Sequence, residues 1–336
     1  MKMKSPYNKH KTMGIIGIII SIVFLWLSFK GTNWSDFILS FQNINYSLLI
    51  GAAAILIGSV WIRAIRWKYL LSSVGEASNE ELYKATMVGY MGNNILPLKI
   101  GELLRAYAIS RKTNIIFSGA FSSVIIERIV DTISFLLIIT VIFSIFPITD
   151  LTQTIAIIGF FTIIVFLLIS FILFKYGKKF QNWYLRKQQQ LNEENKETVA
   201  KYLVGFCQGI EGLWKNPKPG LTIILSLFLW AIYFVFTFLC ILAFNFDINI
   251  ADMLKMTILV LTFTTLVVLI PSAPGTIGTY QAATIAALQI VSINVDAARA
   301  FAVISYLVQY IPLTIIGLYY FFQLKLHIID LDDFIF

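Results

Sequence analysis

Long apolar runs separated by short charged stretches set the pattern of this chain. Residues 13–29 and 37–62 carry no charge, nor do 153–174, 221–244, 256–295 and 300–324. A bilayer core of roughly 30 Å takes about 20 apolar residues as a helix. The pattern predicts helical spans at 13–29, 45–62, 117–147, 153–174, 221–244 and 300–324. Two further apolar stretches are interrupted. The first has arms at 85–98 and 100–111 around Pro97 and Gly101. As helices these arms reach only about 21 Å and less. The second has a first arm at 256–270, also too short to cross, followed by "PSAPGTIG" at 271–278. Short arms around a break predict re-entrant hairpins, whose non-helical backbone must be buried in protein or line a wet cavity.

The two breaks match. "PLKIG" at 97–101 and "PGTIG" at 274–278 share the spacing P-x-x-I-G, with Pro271 just ahead of the second and Gly275 within it. Each break is followed by a further helix and then a long span. The expectation is an all-α polytopic membrane protein of about six transmembrane helices plus two hairpins. It forms a single transmembrane domain over 1–336 with an internal repeat, 45–174 and 219–324, around a basic loop at 175–218.

Composition fits this reading. The chain of 336 residues is 58% hydrophobic and 13% charged, with mean hydropathy +0.80. Its net charge of +8 need not mean nucleic acid, because the basic residues gather between the spans. With the N-terminus inside, the inner segments are 1–12, 63–84, 99–112, 175–218 and the C-terminal tail. The outer loops then keep Lys30, Lys255 and Arg299 as their only basic residues. Both termini are thus expected in the cytoplasm, with the chain in the cell membrane. The first hairpin then enters from inside and the second from outside, which makes the repeat inverted. Lys2, Lys4, Lys9 and Lys11 before the first run resemble a signal peptide, but "SFKGTNW" offers no cleavage site, so an uncleaved helix is expected.

The charges inside the apolar frame are the candidate chemistry. In each hairpin the second arm starts near the tip, so its N–H groups and positive dipole end favour an anion. Lys99 and Arg105 add positive charge at the first tip, and Thr276, Thr279, Tyr280 and Gln281 add neutral hydrogen-bonding groups at the second. Glu102 lies three residues before Arg105 on the same helix face, where it either serves the site or only caps the dipole and pairs with Arg105. Asn93 and Asn94 either brace the tip or touch substrate. "SSVIIERIVDTIS" at 122–134 places Ser123, Glu127, Asp131 and Ser134 within about 80° of a helical wheel, with Arg128 in reach of Asp131. Ionisable residues in a span usually face the bundle interior and mark a pathway. The alternative is an interfacial start to the helix, since 132–149 alone is charge-free.

Other features are weaker. Tyr306, Gln309 and Tyr310 stand in the second repeat where Glu127 and Asp131 stand in the first, and line a cavity or simply pack. Trp26, Trp61 and Trp67 read as interfacial belt or packing residues. The stretch at 198–214 is amphipathic enough to lie on a leaflet surface, or is a solvated connector. Cys207 and Cys240, with His10 and His327 near opposite ends, suggest neither a disulfide framework nor a metal centre. No P-loop or other ATP motif is present, so transport is expected to be passive or coupled to an ion gradient, and no cofactor is expected.

"NNILPLKIGELLRA", "SVIIERIVD" and "IPSAPGTIG", in this order and spacing, resemble the lysylphosphatidylglycerol synthase transmembrane-region family of flippase-like membrane proteins. The resemblance covers about 45–322. Its first motif, N-x-x-P-x-(R/K)-x-G-E-x-x-R, is met by Asn94, Pro97, Lys99, Gly101, Glu102 and Arg105, and its second by Glu127, Arg128 and Asp131. The third departs: members often carry an acidic residue three positions after the second glycine, where this chain has Gln281. The resemblance implies kinship with the lipid-flipping half of aminoacyl-phosphatidylglycerol synthases and with proteins tied to polyprenyl-linked glycan or hopanoid pathways. It implies no aminoacyl-transfer activity, because no soluble domain follows the last span. The expected function is transport of an anionic lipid between leaflets, with an anionic membrane lipid as partner and no nucleic acid. An integral-membrane lipid-phosphate enzyme is the alternative, as is an accessory subunit of a lipid- or glycan-modifying enzyme.

Overall fold

The structure is a computed structural model that describes residues 6–42, 44–145, parts of 150–179, 217–267 and 273–326. Pro271, residues 180–216 of the basic loop, its amphipathic stretch, Cys207 and the acidic tail lie outside the described residues.

Every regular element among the described residues is helical. Helix α1 is Pro6–Phe29 and α2 is Trp34–Leu39. Then come α3 (Tyr46–Leu71), α4 (Asn79–Ile95), a 3-10 turn at Pro97–Lys99, α5 (Gly101–Lys112) and α6 (Phe117–Ile145). After the partly described stretch follow α7 (Pro219–Ala243), α8 (Ile250–Val267), a second 3-10 turn at Pro274–Thr276, α9 (Thr279–Ile290) and α10 (Val295–Gln323).

Among the described residues five helices, α3, α6, α7, α8 and α10, are long and apolar enough to cross a membrane, which makes this an all-α multi-pass membrane protein. The expected span at 13–29 lies within α1, whose apolar part is Ile18–Phe29, and most of 163–174 in the expected span at 153–174 lies outside the described residues. Two expectations need correction. The arm expected at 256–270 is not too short, because α8 starts at Ile250 and has 18 residues. Asn249 explains the earlier start: its Oδ1 accepts from Asp252 N–H at 3.0 Å, a side-chain cap that lets the helix begin in charged sequence. The span expected at 45–62 does not end at Arg63. Helix α3 runs on to Leu71, about 39 Å in all.

Element lengths recur along the chain. Helices α3 and α7 have 26 and 25 residues, α4 and α8 have 17 and 18, and each 3-10 turn has three. Helices α5 and α9 have 12 each, and α6 and α10 have 29 each. Helices α1 and α2 stand outside this series.

The described chain forms two compact units, each built from several stretches. The first unit comprises residues 1–60, 86–104 and 231–325. In it α8 packs on α9, α9 on α10, and α1 on both α9 and the first 3-10 turn; the two 3-10 turns touch. Helix α1 is fixed by polar groups where apolar contact alone would let it slide. Ser21 Oγ accepts from the Ala273 N–H at 2.8 Å. Arg299 of α10 donates to the carbonyls of Ser28 and Lys30 at 2.7 and 2.8 Å, and so satisfies acceptors at the open end of α1. Its third bond, to Asp296 Oδ1 at 2.6 Å, keeps the cation paired. Arg299 was expected as an outer-loop charge; it is instead a buried clamp.

The second unit comprises residues 61–85, 105–230 and 326–336. Its turns meet at close range through glycine. A Cβ on Gly119 would strike the Val74 side chain, and one on Gly75 would come within 2.6 Å of Ile115 Cγ1. Phe135 of α6 meets Trp230 of α7 with ring centroids 5.0 Å apart.

Candidate functional site

The second unit holds an ion cluster inside helices that otherwise read as apolar. Helix α6 brings Glu127 and Asp131 to one face at i,i+4, and α3 answers with Arg63 and Arg66 at i,i+3. Arg63 Nε donates to Glu127 Oε1 at 2.5 Å, and Arg63 Nη2 bonds Asp131. Arg66 reaches Glu127 Oε1 at 3.1 Å and Asp131 Oδ1 at 2.6 Å, and donates to Ser226 Oγ of α7 at 3.0 Å. Arg105, from α5, comes within 2.7 Å of Glu127 Oε2. Opposite charges at that range, with both side chains buried, hold the pair together. Glu127 and Arg66 are fully buried, and Asp131 is the least covered member at 18% exposure.

Trp67 builds the floor. Its indole N–H donates to Ser123 Oγ at 2.9 Å, which fixes the ring. The Arg105 guanidinium lies 3.7 Å above that ring, a stacked cation–π contact in a desolvated place. Trp67 is therefore neither a belt residue nor mere packing. It orients the arginine of the broken segment.

The first unit holds the hairpin tips. Leu96 is extended before Pro97, as a residue preceding proline prefers, and the chain turns through Lys99 at φ +56°. The second tip turns through Gly275 at φ +67° and Thr276 at φ +59°. Lys99 and Thr276 hold the same place in P-x-x-I-G, so both breaks put a non-glycine residue in the left-handed region there. For β-branched Thr276 that is a strained choice of the kind found at working sites. The Gln281 carbonyl accepts from the Gly278 N–H at 2.7 Å and so closes the start of α9. A carboxylate oxygen would do the same, so the amide here keeps the turn and drops the charge.

Helix α10 holds both tips. Tyr306 OH donates to Gly275 O at 2.9 Å, and Tyr310 OH, one turn on, donates to Asn94 O at 3.2 Å. Asn94 Nδ2 donates in return to Thr314 Oγ1 at 2.7 Å and to Tyr310 O at 3.3 Å. The two tyrosine rings stack at 5.2 Å. Tyr280 OH donates to Ser305 Oγ at 3.3 Å, and Thr279 Oγ1 to Thr276 O at 2.9 Å.

The sequence-predicted residues therefore fall into two sets. Glu127, Asp131 and Arg105 meet in the second unit. Asn94, Thr276, Thr279, Tyr280 and Gln281 bond around the tips in the first, where Asn93, Pro97, Lys99, Gly101, Glu102, Pro274, Gly275 and Gly278 also lie. Arg128, beside Glu127 on α6, is half-buried. Arg63 and Arg66 were missed and assigned to an inner loop. The available signal was the absence of any helix breaker from Arg63 to Leu71, with two arginines spaced to answer Glu127 and Asp131. Among the described residues no cluster of His, Cys, Asp and Glu could hold a metal ion.

Paired helical hairpins, a buried ion cluster and five membrane-length helices among the described residues define a polytopic membrane protein with charge stored inside its apolar frame. The lysylphosphatidylglycerol synthase transmembrane-region profile matches residues 14–317, and the chain belongs to that family. A UPF0104 membrane protein of Methanocaldococcus jannaschii is 24% identical over 326 residues, 91% of this chain and 93% of its own length. Another, from Methanothermobacter thermautotrophicus, is 24% identical over 269 residues, 75% of this chain and 78% of its own. The glycosyltransferase AglD of Haloferax volcanii is 26% identical over 121 residues, 36% of this chain and 19% of its own. No solved structure matches.

Proposed function

We propose that this protein moves an anionic phospholipid or polyprenyl-phosphate-linked lipid between the leaflets of the cytoplasmic membrane, with both termini in the cytoplasm. The observation that carries the reading is Arg105, an arginine on the second arm of the first broken segment, held against Glu127 of a membrane-length helix. Buried ion pairs are a poor route to stability, because well-packed apolar groups of the same volume often do as well or better. Charges kept inside a span are more readily explained by a cargo that carries charge. In this reading Arg105 exchanges its carboxylate partner for the lipid phosphate, and a guanidinium can grip two phosphate oxygens. Glu127 stays paired with Arg63 and Arg66 when Arg105 leaves. The acyl chains remain in the bilayer while the head group crosses.

The test is leaflet exchange in proteoliposomes. Labelled phosphatidylglycerol placed in one leaflet should reach the other faster than in protein-free vesicles, with its chemical structure unchanged. Chemical turnover of the lipid would favour an enzyme. A second reading, an accessory subunit of a glycan-modifying enzyme, draws on the partial match to AglD. It predicts neither exchange nor turnover by the protein alone.

A further inference from the structure

Away from the ion cluster, the second unit carries an open cleft of about 620 Å³ lined by Lys68, Glu76, Ser78, Glu81 and Lys112, with Thr113 and Asn114 beside them. That volume is in the range of small-molecule sites, roughly 300–1,000 Å³. The cleft is built rather than left over. Its walls are the 72–78 turn and the 113–116 turn, held at glycine distance by Gly75 against Ile115 and by Gly119 against Val74. Lys68 lies in the last turn of α3, Lys112 ends α5, and α6 starts at Phe117. The cleft therefore opens where membrane-length helices end, at the depth of lipid head groups.

Its charges are unspent. Lys68, Lys112 and Glu76 are exposed, and among the described residues none of the three has an ion-pair partner. Glu81 differs: its Oε2 accepts from Ser78 N–H and Ser78 Oγ, both at 2.8 Å, so it serves as the cap of α4. What remains open is two ammonium groups and one carboxylate around one space.

We propose that this cleft is a head-group site for a zwitterion, a phosphate and a primary ammonium joined by a short linker, as in an ethanolamine phospholipid. Lys68 and Lys112 take the phosphate. Glu76 takes the ammonium, which a quaternary amine could not match because it has no N–H to donate. The site is independent of the transport reading: a protein that exchanged no lipid would still bind here, and a transporter could lack it.

The test is equilibrium binding to the purified full chain in detergent, with dihexanoyl phosphatidylethanolamine, phosphatidylcholine and phosphatidylglycerol as probes. Wild type should hold the ethanolamine lipid about tenfold tighter than the choline lipid, the worth of one charge-assisted hydrogen bond. Glu76→Gln should remove that preference and raise phosphatidylglycerol above the ethanolamine lipid. Lys68→Gln with Lys112→Gln should weaken all three probes. O-phosphoethanolamine identifies the source of the head group: competition as strong as the lipid's marks a free phosphoamine, and weaker competition marks a membrane lipid. Head-group preferences that stay within twofold of wild type in both variants would overturn the site, whatever the exchange assay shows.

Discussion

Glu127→Gln should cost the protein about 3–5 kcal/mol of stability, the usual cost of removing one partner from a buried ion pair. Glu127 is the shared partner of Arg63, Arg66 and Arg105, from α3 and α5. The amide keeps the shape and loses the charge. Arg63 and Arg66 then keep Asp131 while Arg105 loses Glu127, and Arg66 is fully buried. Thermal unfolding in detergent is the measurement, with Thr132→Ala as control. Thr132 is exposed on the same helix, and its hydroxyl donates to the Arg128 carbonyl one turn back. Its loss should stay within about 0.5 kcal/mol, as for most surface substitutions. Equal midpoints for the two variants would mean that the cluster does not hold α3, α5 and α6 together.

Gly101→Ala should rival that loss by a different route. A Cβ on Gly101 would overlap Gly89 O and Asn93 N–H, and approach Asn93 Oδ1 to 2.6 Å. The first two are backbone atoms of the facing arm, so no rotamer relieves the clash. The arms of the first hairpin must part, at or above the roughly 1–3 kcal/mol typical of overpacking. Gly58→Ala is the counterpart. Nothing lies within 4 Å of its added methyl, and it sits inside α3. That change should be neutral or stabilising by about 0.5–1 kcal/mol, since Gly is a poor helix former. If both variants melt like wild type, the close packing of the hairpin arms is wrong.

These residues show what was legible in the sequence. The breaks at Pro97 and Pro274 were, because proline and glycine punctuate an apolar run whatever surrounds it. The Glu127–Asp131 stripe was too, because helical period survives without knowledge of a partner. Arg63 and Arg66 were not read correctly. A basic residue at the end of an apolar run signals a membrane boundary on average. Only the three-dimensional meeting with Glu127 and Asp131 turns it into an internal pair. Arg299 was read only as a loop charge for the same reason, since its partners Ser28 O and Lys30 O lie about 270 residues earlier in the chain. Trp67 was undervalued because nothing local shows that a guanidinium stacks on it. Helix α8 was cut short by counting apolar residues alone, without the cap that Asn249 supplies.

Arg105 is the residue on which the proposed transport turns most directly. Its removal leaves Glu127 paired with Arg63 and Arg66, so the fold should persist. The decisive measurement is leaflet exchange of labelled phosphatidylglycerol in proteoliposomes for wild type, Arg105→Ala and Arg105→Lys, beside thermal unfolding of each. Arg105→Ala is expected to lose exchange while melting near wild type. Arg105→Lys should recover only part of the rate, because an ammonium keeps the charge and loses the two-pronged grip. Wild-type exchange by a well-folded Arg105→Ala protein would contradict the account and leave the ion cluster as a brace.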